Sequence, residues 1–129
     1  MTDLADRNSM FRALLEDCPD VLWQTDKDLR LRFVTRSVEP QFGYRPEEVL
    51  GNSLARYVSK HSREFISARI KSRLADEQSG VKTGNSLVDI QVLSKSGGVL
   101  HAEVSVNPLR NSEGVIIGYQ GVARNVSDR

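Results

Sequence analysis

The stretch Leu87-Val88-Asp89-Ile90-Gln91-Val92-Leu93, with its continuation Val99-Leu100-His101-Ala102-Glu103-Val104-Ser105-Val106-Asn107-Pro108-Leu109, decides the fold class. Val88, Ile90 and Val92 alternate with Asp89 and Gln91; Leu100, Ala102, Val104 and Val106 alternate with His101, Glu103 and Ser105. A period of two residues places each set on one face of a strand, so both segments are strands with one apolar face. Lys95-Ser96-Gly97-Gly98 is the turn between them, and Asn111-Ser112-Glu113-Gly114 turns the chain into a further strand from Val115 to Arg124. Consecutive strands joined by tight turns form an antiparallel sheet, and its apolar face needs a cover.

That cover lies upstream. From Ser62 to Glu77, Ile66, Ile70 and Leu74 stack at four-residue intervals with Phe65 beside them, as on an amphipathic helix. Arg63, Arg69, Lys71 and Arg73 are expected on its solvated face. Between Ser37 and Tyr57 short apolar clusters are broken by Pro40, Gly43, Pro46 and Gly51, which predicts short helices. One of these, Arg45 to Gly51, has Pro at its first position, acids in its first turn and Gly past its end. Further back, Val21 to Thr25 and Leu29 to Thr35 predict a hairpin about Asp26-Lys27-Asp28, with Leu31 and Phe33 opposite Arg30 and Arg32. Leu4, Phe11, Leu14, Leu15 and Cys18 mark an amphipathic helix that Pro19 stops. The expected organisation is an N-terminal capping helix over 1–18 and a core domain over 19–129. Its class is α+β: a five-stranded antiparallel sheet with short helices and one long helix on one face.

At 129 residues, with 39% hydrophobic and 27% charged residues, the chain suits one globular domain. Eighteen basic residues against seventeen acidic ones give a net charge of +1, without the positive excess that nucleic-acid binding uses. No apolar run approaches the roughly 18 residues of a membrane span, and no signal peptide opens the chain. A cytoplasmic setting, no membrane segment in this chain and no nucleic-acid partner are the expectations. Cys18 is the single cysteine, so neither an internal disulfide nor a multi-cysteine metal site can form.

Several runs carry a family resemblance. They are Pro19-Asp20-Val21-Leu22-Trp23-Gln24-Thr25-Asp26, Phe33-Val34-Thr35, Phe42-Gly43-Tyr44 and Pro46-Glu47-Glu48-Val49-Leu50-Gly51, then Ser96-Gly97-Gly98, Glu103-Val104-Ser105, Pro108-Leu109, Gly118-Tyr119, Gly121-Val122-Ala123-Arg124 and Asn125-Val126-Ser127. In order and spacing the chain resembles the PAS domains of bacterial sensor proteins from about Phe11 to Arg129. Leu29 stands where the family usually has Gly, and a wider first turn is expected because Leu resists positive φ. The closing motif, usually Asp, aliphatic, Thr, reads Asn125-Val126-Ser127 here, which keeps a hydroxyl and removes a charge.

The resemblance implies a sensor domain without catalysis of its own, linked to a histidine kinase or cyclic-dinucleotide signalling output. It also implies a cavity between the inner sheet face and the helices for a small-molecule ligand. Trp23, Phe33, Phe42, Tyr44, Leu54, Tyr57, Phe65, Ile66 and Ile70 are the expected wall. Asn125 and Ser127 are the expected signal-transfer residues. Haem is not expected, because His61 sits ahead of the apolar stripe of the long helix, and His101 falls on the outer sheet face. Flavin photochemistry of the blue-light relatives needs an Asn-Cys-Arg-Phe segment, which is missing. No metal site and no catalytic pair stand out, and the ligand's identity is left open. The alternative is a structural homodimerisation module with a filled core. It would pair through the N-terminal helix and the outer-face residues Leu87, Leu93, Ile116 and Val122.

Overall fold

A computed structural model describes residues 10, 13–82 and 84–127 of the chain. The strands are β1 (Val21–Asp26), β2 (Leu31–Val34), β3 (Ser86–Leu93), β4 (Val99–Arg110) and β5 (Ile116–Asn125). Between β2 and β3 come helices α1 (Val38–Phe42) and α2 (Pro46–Val49), a 3-10 turn (Leu54–Tyr57) and the long helix α3 (Lys60–Gln78). The strands form one antiparallel sheet in the order β2-β1-β5-β4-β3, so the last strand is the middle one. This is the α+β layout that alternation and helical spacing predict. Residues 13–17 are helical, but most of the expected N-terminal helix lies outside the described residues.

Local chemistry explains where each element stops. At the β1–β2 turn, Asp26 Oδ1 accepts the backbone N–H groups of Asp28 at 2.9 Å and Arg30 at 3.0 Å. Leu29 closes this turn at φ 65, so the expected wider turn does not form. The side chain of Leu29 packs on the core, and that burial holds the left-handed backbone in place. Gly43 ends α1 at φ 90, donating its N–H to the Glu39 carbonyl at 2.8 Å.

Two bulges revise the predicted faces. Gln24 pairs with Phe33 but Thr25 pairs with Leu31, so Arg32 is the extra residue in β2. Leu31 and Val34 therefore face the helices, and Phe33 turns to the outer face with Gln24. In β5, Leu109 pairs with Gly118 but Arg110 pairs with Ile116, which leaves Ile117 as the extra residue. Ile116 consequently rotates away from the expected outer face and packs against the core.

Helix α3 also sits differently from its predicted stripe. Its buried residues are Ser62 and Arg73, with Ile66, Ile70 and Glu77 half-buried, whereas Phe65 and Leu74 are exposed. Polar contacts hold it at both ends. At its start Ser59 Oγ caps the N–H of Ser62 at 3.2 Å and donates to Gln91 Oε1 at 2.9 Å, while Ser62 Oγ accepts the Gln91 N–H at 2.9 Å. At its end Arg110 grips Glu77 with both amino groups, Nη2 lying 2.9 Å from Oε2. Arg69 and Arg73 both donate to Ser86 Oγ in β3. A helix held at its ends by polar groups leaves its middle bridging open space, and this is where the cavity lies.

Candidate functional site: an apolar cavity under the long helix

The cavity has a volume of about 180 Å³ and is lined by the inner faces of β1 to β5, α1, α2, the 3-10 turn and α3. Eight of the nine residues expected on its wall line it: Trp23, Phe42, Tyr44, Leu54, Tyr57, Phe65, Ile66 and Ile70. Phe33 does not, because the Arg32 bulge turns it outward.

Each lining side chain is placed by its element. Trp23 lies opposite Gly121, and a Cβ at position 121 would meet Trp23 Cζ2 at 3.1 Å and overlap the Ser105 carbonyl oxygen. The edge of the indole can come this close to β5 because that residue has no side chain. Tyr44 and Tyr57 meet edge to face, with centroids 4.9 Å apart at 68°. Their hydroxyls are engaged: Tyr44 donates to the Leu93 carbonyl at 2.6 Å, and Tyr57 accepts from Asn52 Nδ2 at 2.8 Å. Burial, then Tyr57 and Glu48, push the Tyr44 hydroxyl above its ordinary pKa of 10.0, which keeps it protonated.

Sequence reasoning missed several wall residues. Leu29 enters the cavity because of its left-handed backbone. Arg69, Arg73 and Ser86 line the end below the C-terminal half of α3. Arg73 is only 8% exposed, and its Nη1 is buried without a hydrogen-bond partner. Burial and, next, the nearby Arg69 hold its pKa below the ordinary arginine value; Tyr119 and Glu77 oppose that shift. The signal was present, since position 73 falls at helical spacing from Ile66 and Ile70 and so shares their face. His61 and His101 are exposed, and no cluster of three or more His, Cys, Asp or Glu side chains able to hold a metal forms among the described residues.

The closing segment is tied to the cavity wall. The Asn125 N–H donates to Gln41 Oε1 at 2.7 Å, and Asn125 Nδ2 donates to the Gln41 carbonyl at 2.9 Å. Asn125 Oδ1 accepts the Ser127 N–H at 2.9 Å, and Ser127 Oγ accepts the His101 N–H at 2.8 Å. Gln41 belongs to α1, next to Phe42, which lines the cavity and is 5% exposed. Alongside, Arg124 clamps Asp20 through Nε to Oδ1 at 3.0 Å and Nη2 to Oδ2 at 2.8 Å. One short helix therefore touches both the cavity and the exit of the sheet.

Known proteins share this fold. The chain aligns with the PAS domain of a protein from Colwellia psychrerythraea at a TM-score of 0.80 and 18% identity, over 96% of this chain and 100% of that one. The PAS domain of an HTR-like protein from Haloarcula marismortui aligns at 0.75 and 19% identity, over 95% of this chain and 94% of that one. An RNA-binding light-oxygen-voltage receptor aligns at 0.76 and 19%, over 98% of this chain and 35% of that one. At the sequence level the chain is 24% identical over 126 residues to a methanogenesis regulatory histidine kinase, FilI, of Methanothrix harundinacea (strain 6Ac). That match covers 97% of this chain and 13% of the relative, so the chain spans about an eighth of the kinase's length. No described helix is long and apolar enough to cross a membrane. The profile described as the PAS fold matches residues 9–126, and with that match over the same sheet and helices, the chain belongs to the PAS family.

Proposed function

We propose that this domain is a sensor module that binds a small, largely apolar ligand in the cavity under α3 and relays its presence through α1 to the closing segment. The observation that carries the reading is the adjacency of Phe42, on the cavity wall, and Gln41, whose side chain and carbonyl both hold Asn125. A ligand that favours one position of Phe42 shifts α1, and with it the hydrogen bonds of Asn125 and Ser127. The output would be a histidine kinase or cyclic-dinucleotide signalling enzyme joined after the closing motif; the similarity to FilI, a regulatory histidine kinase, supports the first. The domain itself serves binding and relay, with no reaction assigned to it. A cavity of about 180 Å³ is close to the roughly 150 Å³ that accommodates benzene in an engineered apolar core, so the ligand is of that scale.

The test is a two-dimensional NMR titration with small aromatic and aliphatic compounds. A cavity ligand should move the Trp23 indole signal together with the amides of Asn125 to Ser127, and Gln41→Ala should abolish only the second response. Shifts at Trp23 that never reach Asn125 would remove the relay; no shift at Trp23 with any compound would remove the sensor reading.

A second role is favoured by the outer sheet face. There Leu22, Phe33, Leu109 and Val122 lie on one side by register, with Leu87 69% exposed at the edge. A homodimer through this face fits an apolar strip of that kind. Sedimentation of the purified chain should then give a dimer that Val122→Glu converts to monomer, and a monomeric parent protein would end this reading.

A further inference from the structure

Phe65, Arg69 and Val88 line two spaces at once. They belong to the wall of the chamber under α3, and they also line a groove beside it whose other walls include the exposed His61, Leu87 and Asp89. Side chains common to two neighbouring spaces are the partition between them. Phe65 and Arg69 stand one turn apart on one face of α3, and Val88 comes from β3.

Other seams around the chamber are stitched by hydrogen bonds. At the β2 edge the Leu31 N–H donates to the Asn52 carbonyl at 3.0 Å, and the Leu54 N–H donates to the Leu29 carbonyl at 2.9 Å. At the end of β3 Tyr44 holds the Leu93 carbonyl, and beside β5 Gln41 holds Asn125. Between α3 and β3 the stitches stand at the two ends: the Gln91 N–H to Ser62 Oγ at one, Arg69 and Arg73 to Ser86 Oγ at the other. Among the described residues, no hydrogen bond joins Leu87, Val88, Asp89 or Ile90 to the helix. The partition closes that gap by side-chain contact. One of its three members is free to move. Val88 is β-branched and stiff about χ1, and Arg69 is tied to Ser86 at 3.0 Å. Phe65 has no polar tie and is 42% exposed in spite of its place on the wall, and exposed side chains change rotamer quickly.

We infer that Phe65 is the gate of the chamber: by swinging between the wall and the groove it admits small, uncharged, apolar molecules, and the groove between α3 and β3 is their route. This rests on the sensor reading above and deepens it by locating the entry. A charged molecule passing a phenyl ring and a valine would shed its water with nothing to replace it.

Benzene is the probe, and exchange NMR on the Trp23 indole signal at several benzene concentrations gives its entry and release rates separately. Phe65→Ala, at a position exposed enough for the fold to tolerate it, should raise the entry rate constant at least about tenfold. Phe65→Leu, which keeps a shorter apolar side chain, should fall between the two. Leu54→Ala truncates the wall at the stitched β2 edge and should leave entry within about twofold of the parent, whatever it does to release. An entry rate unchanged by Phe65→Ala, or raised equally by Leu54→Ala, overturns the gate and leaves the sensor reading standing. A Trp23 signal that moves with no compound, in the parent or in Phe65→Ala, overturns both.

Discussion

Leu29 and Gly121 show how single residues set the cavity. At φ 65 a leucine carries a backbone cost of about 1–2 kcal/mol that glycine does not. Elsewhere alanine is the better residue by about 0.5–1 kcal/mol, so the order should invert here: Leu29→Gly should be more stable than Leu29→Ala by about 1 kcal/mol in urea unfolding. If alanine is the more stable, the strain is absent. Gly121→Ala faces the opposite situation, since a methyl group there overlaps the Ser105 carbonyl and presses on Trp23. It should cost at least about 2 kcal/mol, with a shifted Trp23 fluorescence maximum. At this scale the sequence was legible for large aromatic residues, because Trp23, Phe42, Tyr44 and Tyr57 have few places to go but the core. It was illegible for Leu29, whose conformation depends on a tertiary contact, and for Arg73, whose charge argues for solvent although its position argues for the core.

Among the elements, the strands were easier to read than their faces. Alternation located β3 and β4 and oriented both, but a bulge adds one residue and reverses everything beyond it. Nothing in Leu31-Arg32-Phe33-Val34 or in Ile116-Ile117 marks the extra residue, which explains why Phe33 and Ile116 exchange sides. The face of α3 differs from the predicted stripe in its second half, where Arg73 and not Leu74 continues the buried face of Ile66 and Ile70. The Asp20–Arg124 clamp between the entry of β1 and the end of β5 has a pH signature. The hydrogen bond from Arg124, helped by its charge and opposed by burial, holds the Asp20 carboxyl below its ordinary 3.8. A depressed carboxyl contributes stability that is fully present above its unfolded value and is lost as the pH falls through the lower folded one. Asp20→Asn should therefore be less stable than the parent near neutrality, and the gap in urea midpoints should close below about pH 4. A gap that persists unchanged in acid would show that the clamp acts by shape and not by charge.

Across the whole molecule, the fold and the family were readable because many weak motifs fall in one order, and that order is itself the strand topology. What stayed hidden was the cavity's chemistry, which arises where α3, β3 and β5 meet from distant parts of the chain. The sheet order has a consequence for how the molecule is made. Because β5 lies between β1 and β4, the β1–β2 hairpin and the β3–β4 pair have no hydrogen-bonded strand contact with each other until Ile116–Asn125 is inserted. On the ribosome, then, the early hairpin must wait through some ninety residues of synthesis, its inner face still wet, and such long-range closure is slow. The strand that closes the inner face is thus the last one made, so the cavity has all its walls only once the whole sheet is in place.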